Sequence, residues 1–207
     1  MFDVGVNRAF RIVKSAGVTL SLMAVLFAGA SAQQQQAAEA TVPPRIPDVN
    51  CVDQNGKKLR FHTDLVKGKV VVINFIYTSC TFLCTRIGES TARLQTALGE
   101  RVGRDVYIIS VSTDPVTDTP ERLKAWATRL KAKDGWTLVT GEKAEMDQLL
   151  KVLTGDASGI KTHSPLLLIG NEPKNVWAES YVFESPAKLI QQIDRVSGRI
   201  ITSAALP

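Results

Sequence analysis

Cysteine and histidine are scarce in this sequence, at three and two among 207 residues. Three thiols, an odd number, do not build the disulfide framework that holds small secreted domains together. The chain is long enough for one well-packed domain, which must therefore rest on its hydrophobic core. The scarcity also leaves few soft side chains from which a metal site can be assembled.

Positive charge is not concentrated anywhere in the chain. The formal net charge is +5, but there is no dense Lys/Arg block and no basic stripe interleaved with aromatic residues. We therefore expect no nucleic-acid partner. No internal repeat is evident.

The apolar stretch near the N-terminus is too short for a membrane span. Gly17–Ala30 has about 14 residues, whereas a transmembrane helix needs roughly 20. Basic residues precede it (Arg8, Arg11 and Lys14) and the small residues Ala30–Ala32 end it, which is the order of an export signal. We expect residues 1–32 to be a signal peptide, or alternatively an uncleaved anchor that associates the protein with the cytoplasmic membrane. Either way we expect the domain to be exported and to lie in the periplasm or another extracytoplasmic space.

Residues 33–44, rich in Gln, Ala and Pro, are expected to be a flexible linker, and residues 45–207 to form one domain. The segment Val49–Phe61 predicts a β-hairpin with Asn55-Gly56 as a two-residue type I′ turn. Strand and helix patterns then alternate. Strands are expected at Val70–Ile76, Val106–Val111, Trp136–Val139, Leu166–Ile169 and Val176–Val182, and helices at 82–98, 120–131, 143–153 and 186–200. This order indicates an α/β fold with a mixed sheet and flanking helices on both faces.

Cys80 and Cys84 are the most informative residues. They follow the buried strand Val70–Ile76, and four residues of separation at the start of a helix let two thiols face the same way. Such a pair forms a reversible disulfide, binds one soft metal ion, or is simply two buried thiols. Redox pairs of the thioredoxin type have two intervening residues, whereas this chain has three, and the wider spacing leaves room for a metal.

His163 is the candidate third ligand. It stands directly before the strand Leu166–Ile169, which is expected in the same sheet, so it can approach the cysteine pair. Two thiolates and one imidazole suit Cu(I), and Cu(II) also uses such ligands. Structural zinc sites usually have four ligands, and no clear fourth is present. The alternative is a structural histidine that binds the backbone.

Three other features are weaker candidates. His62 competes with His163 but is expected as a polar turn residue at the end of the hairpin. Cys51 is expected as a small core residue of the first hairpin strand. The run Asp114–Glu121 is explained by a turn and a helix N-cap, while the alternative is that its carboxylates lie near a metal site and favour a cation.

Together these segments resemble the Sco/SenC family of thioredoxin-like, copper-handling proteins. The matching pieces are Asn74–Cys84, Ile109–Glu121 and His163 before an apolar strand, in the family's order, and they extend over residues 45–202. The resemblance implies a thioredoxin-like fold and one copper ion, as Cu(I) or Cu(II), held by Cys80, Cys84 and His163. It also implies assistance to the copper centre of cytochrome c oxidase.

The chain departs from the family pattern in two places. The family often has proline after each cysteine, where this chain has Thr81 and Thr85. An aspartate often precedes the histidine, where this chain has Thr162. The loss of that carboxylate removes a partner that can tune the ligand beside it.

The sequence therefore predicts an extracytoplasmic copper metallochaperone whose cysteine pair couples its redox state to copper delivery. The expected partners are a copper-accepting protein such as a cytochrome c oxidase subunit, and a thiol reductant that keeps the pair reduced. The alternative is an enzyme, a thiol–disulfide oxidoreductase acting on the thiols of a copper protein, with Cys80 as nucleophile and Cys84 as its partner. A thiol peroxidase is a further alternative, although no clear peroxidatic constellation is present.

Overall fold

The computed structural model describes residues 45–155 and 165–199, so the expected signal peptide, the linker and His163 lie outside the described residues. The described residues all belong to one compact unit. Its strands are β1 Asn50–Asp53, β2 Lys58–Arg60, β3 Val70–Ile76, β4 Tyr107–Ser112, β5 Trp136–Thr140, β6 Leu166–Asn171 and β7 Val176–Tyr181. Its α-helices are α1 Leu83–Leu98, α2 Pro120–Arg129, α3 Lys143–Thr154 and α4 Pro186–Ser197. Each predicted strand and helix is present, with bounds shifted by a few residues.

The seven strands form one mixed sheet in the order β2-β1-β5-β4-β3-β6-β7. Strands β3, β4 and β5 are parallel neighbours, whereas β6 runs antiparallel to β3 and β1 runs antiparallel to β5. Strand β3 is almost wholly buried because helices cover both faces of the sheet, which explains its continuous run of apolar residues. The predicted mixed sheet with flanking helices and an N-terminal hairpin is confirmed.

The side chains of β3 alternate between two hydrophobic clusters. Ile73 and Phe75 pack into the cluster that includes α3, and Val72 and Ile76 pack into the cluster formed with α1, α2 and α4. Strand β3 is thus fixed on both faces and both edges. The loop that follows the carboxyl end of β3 therefore begins at a strand that is held in place on every side.

Helices α1 and α2 pack closely at Gly88. A Cβ atom at this position would lie 2.6 Å from the Cη2 atom of Trp126 and 2.5 Å from a methyl carbon of Leu130. Only glycine leaves room for the buried indole there. Helix α1, which carries Cys84 one turn earlier, is therefore set directly against α2.

The predicted hairpin is confirmed, but the prediction of a type I′ turn at Asn55-Gly56 is wrong. Type I′ needs positive φ at both central residues, and Asn55 is not in that region, whereas Gly56 has φ of 79°. The Asp53 carboxylate accepts hydrogen bonds from the amides of Asn55 (2.7 Å) and Lys57 (2.9 Å). These bonds favour a longer loop over the two-residue turn.

The sequence patterns did not predict the π-helical turn Phe61–Val66 that joins β2 to β3. It buries Phe61, Leu65 and Val66, and at six residues it is too short for a helical period to be recognised in the sequence. In the part of the chain that the structure describes, no helix combines the length and the apolar character that crossing a membrane requires.

Candidate metal and redox site

The two predicted site cysteines lie together at the carboxyl end of β3. Cys80 belongs to the loop that follows the strand, and Cys84 lies in the first turn of α1. Both are buried, at 9% and 1% exposure, and both are free thiols. Parallel sheets collect ligand-binding groups at the carboxyl ends of their strands, so the position itself favours a functional pair.

The sulfur of Cys80 is held against the start of α1. The backbone amide of Cys84 donates to Cys80 Sγ at 3.3 Å, so the sulfur takes up one of the amides that a helix leaves unpaired at its first turn. The side chain of Thr85, where the family often has proline, donates to the Cys80 carbonyl at 3.4 Å. Both contacts fix Cys80 to the helix that carries Cys84.

These contacts make the two thiols unequal. Burial raises the pKa of Cys80, but hydrogen bonds from the amides of Cys84 and Phe82 and from the Tyr77 side chain outweigh it, and the pKa falls to about 7. Burial raises the pKa of Cys84 to about 12, and its hydrogen bond to Cys80 adds to the shift. Near neutral pH Cys80 is therefore partly ionised, whereas Cys84 stays protonated.

Tyr77 is a site residue that the sequence analysis missed. Its hydrogen bond to Cys80 is the main cause that raises the pKa of the phenol to about 12, and burial adds to it. A phenol that donates to a thiolate stabilises the charged sulfur. Its place three residues before Cys80 was the available signal, since the loop must fold back for the helix to begin.

Asp118 links this loop to the neighbouring strand. Its side chain is fully buried and accepts hydrogen bonds from the Thr78 amide (2.9 Å), the Thr78 hydroxyl (2.6 Å) and the Ser112 hydroxyl (2.6 Å). The turn and N-cap expected for this stretch are also present, with Thr119 as the N-cap of α2. Asp118 therefore belongs to the surroundings of the cysteine loop rather than to the helix cap.

His62, the competing candidate ligand, lies away from the cysteine pair. The Nε2 atom of His62 lies 3.5 Å from the Oε1 atom of Glu172. Glu172 follows β6, and its amide donates to the carbonyl of Lys69, the residue before β3 begins, at 3.1 Å. His62 is thus at the end of the sheet opposite to the cysteines. Within residues 45–155 and 165–199, no three His, Cys, Asp or Glu side chains form a group able to hold a metal. The described residues contain Cys80 and Cys84, and the third predicted ligand, His163, lies outside them.

Cys51 lies apart from this site. It is 2% exposed and packs in the core between the hairpin and α3, as expected. Burial raises the pKa of its thiol to about 12. It also lines a cavity of about 670 Å³ between the hairpin and the start of α2, to which neither Cys80 nor Cys84 contributes.

Large apolar side chains are exposed in the segments that follow β3 and β4. Phe82, between the two cysteines, is 72% exposed, and Val116, in the loop between β4 and Asp118, is 74% exposed. Arg86, one turn further along α1, stacks on the ring of Phe183 at 5.4 Å. Single exposed apolar residues are common on protein surfaces, but Phe82 lies between the two cysteines in the sequence and is therefore accessible to a molecule that approaches them.

Known proteins are similar to this chain in sequence and in fold. The SCO1/SenC family model matches residues 38–174. The chain is 35% identical to a SCO1 protein homolog of Bacillus subtilis over 91 residues, covering 43% of this chain and 45% of that protein. Its matches to curated relatives span about half of those relatives' length.

Solved structures of Sco proteins have the same fold. The structure of Bradyrhizobium japonicum ScoI with copper bound has a TM-score of 0.60 at 21% identity, covering 72% of this chain and 96% of that one. BsSco, a member of the Sco family of cytochrome c oxidase assembly proteins in which a disulfide switch was identified, has a TM-score of 0.61 at 23% identity, covering 75% and 96%. The thioredoxin-like fold is confirmed, and with a family model that matches most of its length, the chain belongs to the SCO1/SenC family.

Proposed function

We propose that the protein is an extracytoplasmic copper metallochaperone whose cysteine pair binds one copper ion in the dithiol state. The observation that carries the proposal is the pairing of Cys80 and Cys84 at the end of β3, with the Cys80 sulfur held at the start of α1. Two sulfur donors in one buried loop make a soft site, which suits Cu(I) more than hard cations. The copper-bound ScoI structure, with the same fold, supports this choice of metal.

We assign His163 as the third ligand. Strand β6 runs antiparallel to β3, and Leu167 pairs with Asn74, so β6 begins beside the carboxyl end of β3. His163 precedes the first residue of β6, Leu166, by three positions in the sequence. That connection supports an imidazole near the two thiols, and two thiolates with one imidazole suit Cu(I) and also serve Cu(II).

Copper occupancy is coupled to the redox state of the pair. Oxidation of the two thiols to a disulfide removes two electrons and two protons and leaves neither sulfur as a thiolate ligand. A thiol reductant is then needed before copper binds again. The disulfide switch identified in BsSco supports this coupling.

The copper cargo goes to a copper-accepting protein, for which we propose a cytochrome c oxidase subunit because BsSco belongs to the oxidase assembly proteins. Exposed Phe82 between the two cysteines gives such an acceptor an apolar surface at the point of transfer. We place the protein outside the cytoplasm, with residues 1–32 as its export signal or as an anchor to the cytoplasmic membrane.

Copper titration tests this function. Reduced protein is titrated with Cu(I) against a competing chelator, and the Cu(II) form is followed by its sulfur-to-copper charge-transfer absorption. We expect one ion per chain for the wild type and for Cys51→Ala, the matched control with a distant buried thiol. Cys80→Ala, Cys84→Ala and His163→Ala should each lose tight binding. Wild-type protein without one-to-one binding would refute the proposal, and unchanged binding in His163→Ala would refute the third ligand.

The unequal thiols favour a second candidate, a thiol–disulfide oxidoreductase. A pKa of about 7 at Cys80 supplies a thiolate nucleophile at neutral pH, and the protonated Cys84 is placed to resolve the mixed disulfide. With dithiothreitol added to return the Cys80–Cys84 disulfide to the dithiol after each cycle, metal-free protein would then catalyse the reduction of insulin disulfides, or of peroxide if it is a thiol peroxidase, faster than dithiothreitol alone. Turnover in either assay that is lost in Cys80→Ala would favour the enzyme, and its absence would favour the chaperone.

A further inference from the structure

We propose that Asp118 is a positioning residue for the cysteine loop, and that it favours the dithiol over the disulfide by holding Thr78. This inference deepens the proposed function, because it assigns a residue that sets when the copper-binding state is available. Asp118 is distant in sequence from the cysteines and touches neither of them. It holds the backbone of the loop that carries Cys80. Its charge also contributes to the raised pKa of Cys84, so the Thr78 variants, which keep that charge, carry the test.

The contacts of Asp118 join two parts of the chain that lie far apart in the sequence. One carboxylate oxygen accepts from both the amide and the hydroxyl of Thr78, at 2.9 and 2.6 Å. The other accepts from the Ser112 hydroxyl at 2.6 Å. Ser112 is the last residue of β4 and pairs in register with Ile76, the last residue of β3. The carboxylate therefore bridges the loops that follow two adjacent parallel strands.

The hydroxyl of Thr78 is oriented from both sides. It donates to Asp118 and accepts from the Nε atom of Arg122 in α2, at 3.0 Å. Ser112 is likewise held, since its hydroxyl accepts from the Asp114 amide at 3.1 Å. Charge-assisted bonds to a fully buried carboxylate are strong and directional, so the position of Thr78 is closely defined.

Thr78 lies two residues before Cys80, in the middle of the segment between the end of β3 and the start of α1. At one end the Thr113 amide binds the Ile76 carbonyl at 2.8 Å, and at the other the Cys80 sulfur accepts from the Cys84 amide. Between these two contacts, the hydrogen bonds from Thr78 to Asp118 hold the loop in place. Forming a disulfide requires the Cys80 sulfur to leave the amide and bond to the Cys84 sulfur. A loop held at Thr78 resists that movement.

The test measures the dithiol–disulfide equilibrium of metal-free protein in glutathione buffers. Oxidised glutathione takes two electrons from the pair and becomes two reduced glutathiones, while the protein forms one disulfide. Thr78→Val removes the hydroxyl but keeps the shape and the amide, and Thr78→Ser restores the hydroxyl. Asp118→Asn weakens the whole bridge. Asn171→Ala is the matched control, because Asn171 is a buried residue with hydrogen bonds to Val196 and Lys174 at the opposite end of the sheet.

We expect Asp118→Asn and Thr78→Val to shift the equilibrium constant about tenfold towards the disulfide, which corresponds to a reduction potential about 30 mV more negative. Thr78→Ser should return to within twofold of the wild type. Asn171→Ala should lose thermal stability without a shift. If Asp118→Asn does not fold, the Thr78→Val and Thr78→Ser pair decides the result.

If the dithiol–disulfide equilibrium constants of Asp118→Asn and Thr78→Val both equal that of the wild type, the inference is overturned. An equal shift in Asn171→Ala would also overturn it, because general loosening would then explain the effect. The measurement contains no copper, so a failure of copper binding in the wild type rejects the proposed function and leaves this result standing.

Discussion

The unequal ionisation of the two thiols predicts which cysteine reacts first, and by how much. The perturbation is a small alkylating agent, iodoacetamide, added to reduced protein in the presence of a metal chelator. Cys80 has a pKa lowered to about 7, and Cys84 has a pKa raised to about 12. Because the thiolate is the nucleophile, alkylation should begin at Cys80.

The size of the preference follows from the two pKa values. At pH 7 a thiol with a pKa near 7 is about half ionised, and one with a pKa near 12 is ionised in about one molecule in 10⁵. Thiolates of lower pKa are weaker nucleophiles, and over about five pKa units this costs Cys80 roughly 200-fold. The remaining preference for Cys80 is on the order of several hundredfold. The lower exposure of Cys84, 1% against 9%, acts in the same direction.

Peptide mapping by mass spectrometry at successive times gives the rate at each cysteine from pH 5 to pH 9. We expect the Cys80 rate to rise with a midpoint near pH 7 and to level off above it. Cys51, whose pKa is also about 12, is the internal control and should react as slowly as Cys84. Equal rates at Cys80 and Cys84, or a Cys80 midpoint near pH 9, would refute the argument from the amide and phenol hydrogen bonds.

Three further predictions address the surface, the core and the helix packing. Phe82→Ser removes the exposed side chain that would contact the acceptor, whose burial is worth about 2 kcal/mol. Copper transfer to an apo acceptor domain should therefore slow roughly 10- to 30-fold in stopped-flow measurements, with copper affinity unchanged. Val176→Ser on the edge strand β7 is its control. The pKa of Cys51 is about 12 in the folded state and 9.0 in an ordinary thiol, so between these pH values the folded state keeps the proton that the unfolded state loses. The free energy of unfolding should therefore fall by about 1.4 kcal/mol per pH unit as the pH rises through this range. Urea unfolding should show a shallower fall in Cys51→Ala, which lacks the thiol. Gly88→Ala should lower the unfolding free energy by about 1–3 kcal/mol, because contact with Trp126 outweighs the roughly 1 kcal/mol that alanine gains in a helix; a melting temperature at or above that of the wild type would contradict this packing.

The fold follows from the sequence where one local signal decides each element. Val70–Ile76 is a continuous apolar run because both faces of β3 are covered, and Thr119-Pro120 marks the start of α2 through a cap and a proline in the first turn. The hairpin turn was misassigned because the Asp53 side chain binds two amides of the loop, and a dipeptide pattern does not record that competition. The turn Phe61–Val66 was missed because six residues are too few for a helical period to be recognised.

The site is readable from the sequence only in part. Cys80 and Cys84 were identified because they are close in the chain and scarce. The contact between Asp118 and Thr78 depends on the parallel register of β3 and β4, in which Ile76 faces Ser112, and register between distant strands is not encoded in a local pattern. The difference between the pKa values of the two thiols likewise depends on the Cys84 amide pointing at the Cys80 sulfur, and that orientation exists only once the loop has folded.

The central position of β3 has a consequence for how the protein is made. Its two neighbours arrive late, since Val71 pairs with Tyr107 on one edge and with Gly170, close to the end of the domain, on the other. Long-range pairing of this kind is slow, so the strand that carries the cysteines stays open until nearly the whole domain has been synthesised. During that interval the thiols lack the burial and the hydrogen bonds that distinguish them in the finished fold. In the oxidising compartment that we propose for the protein, a chain in which β6 has not yet docked is therefore open to premature oxidation, and the yield of protein with a reduced cysteine pair should depend on how quickly β6 docks.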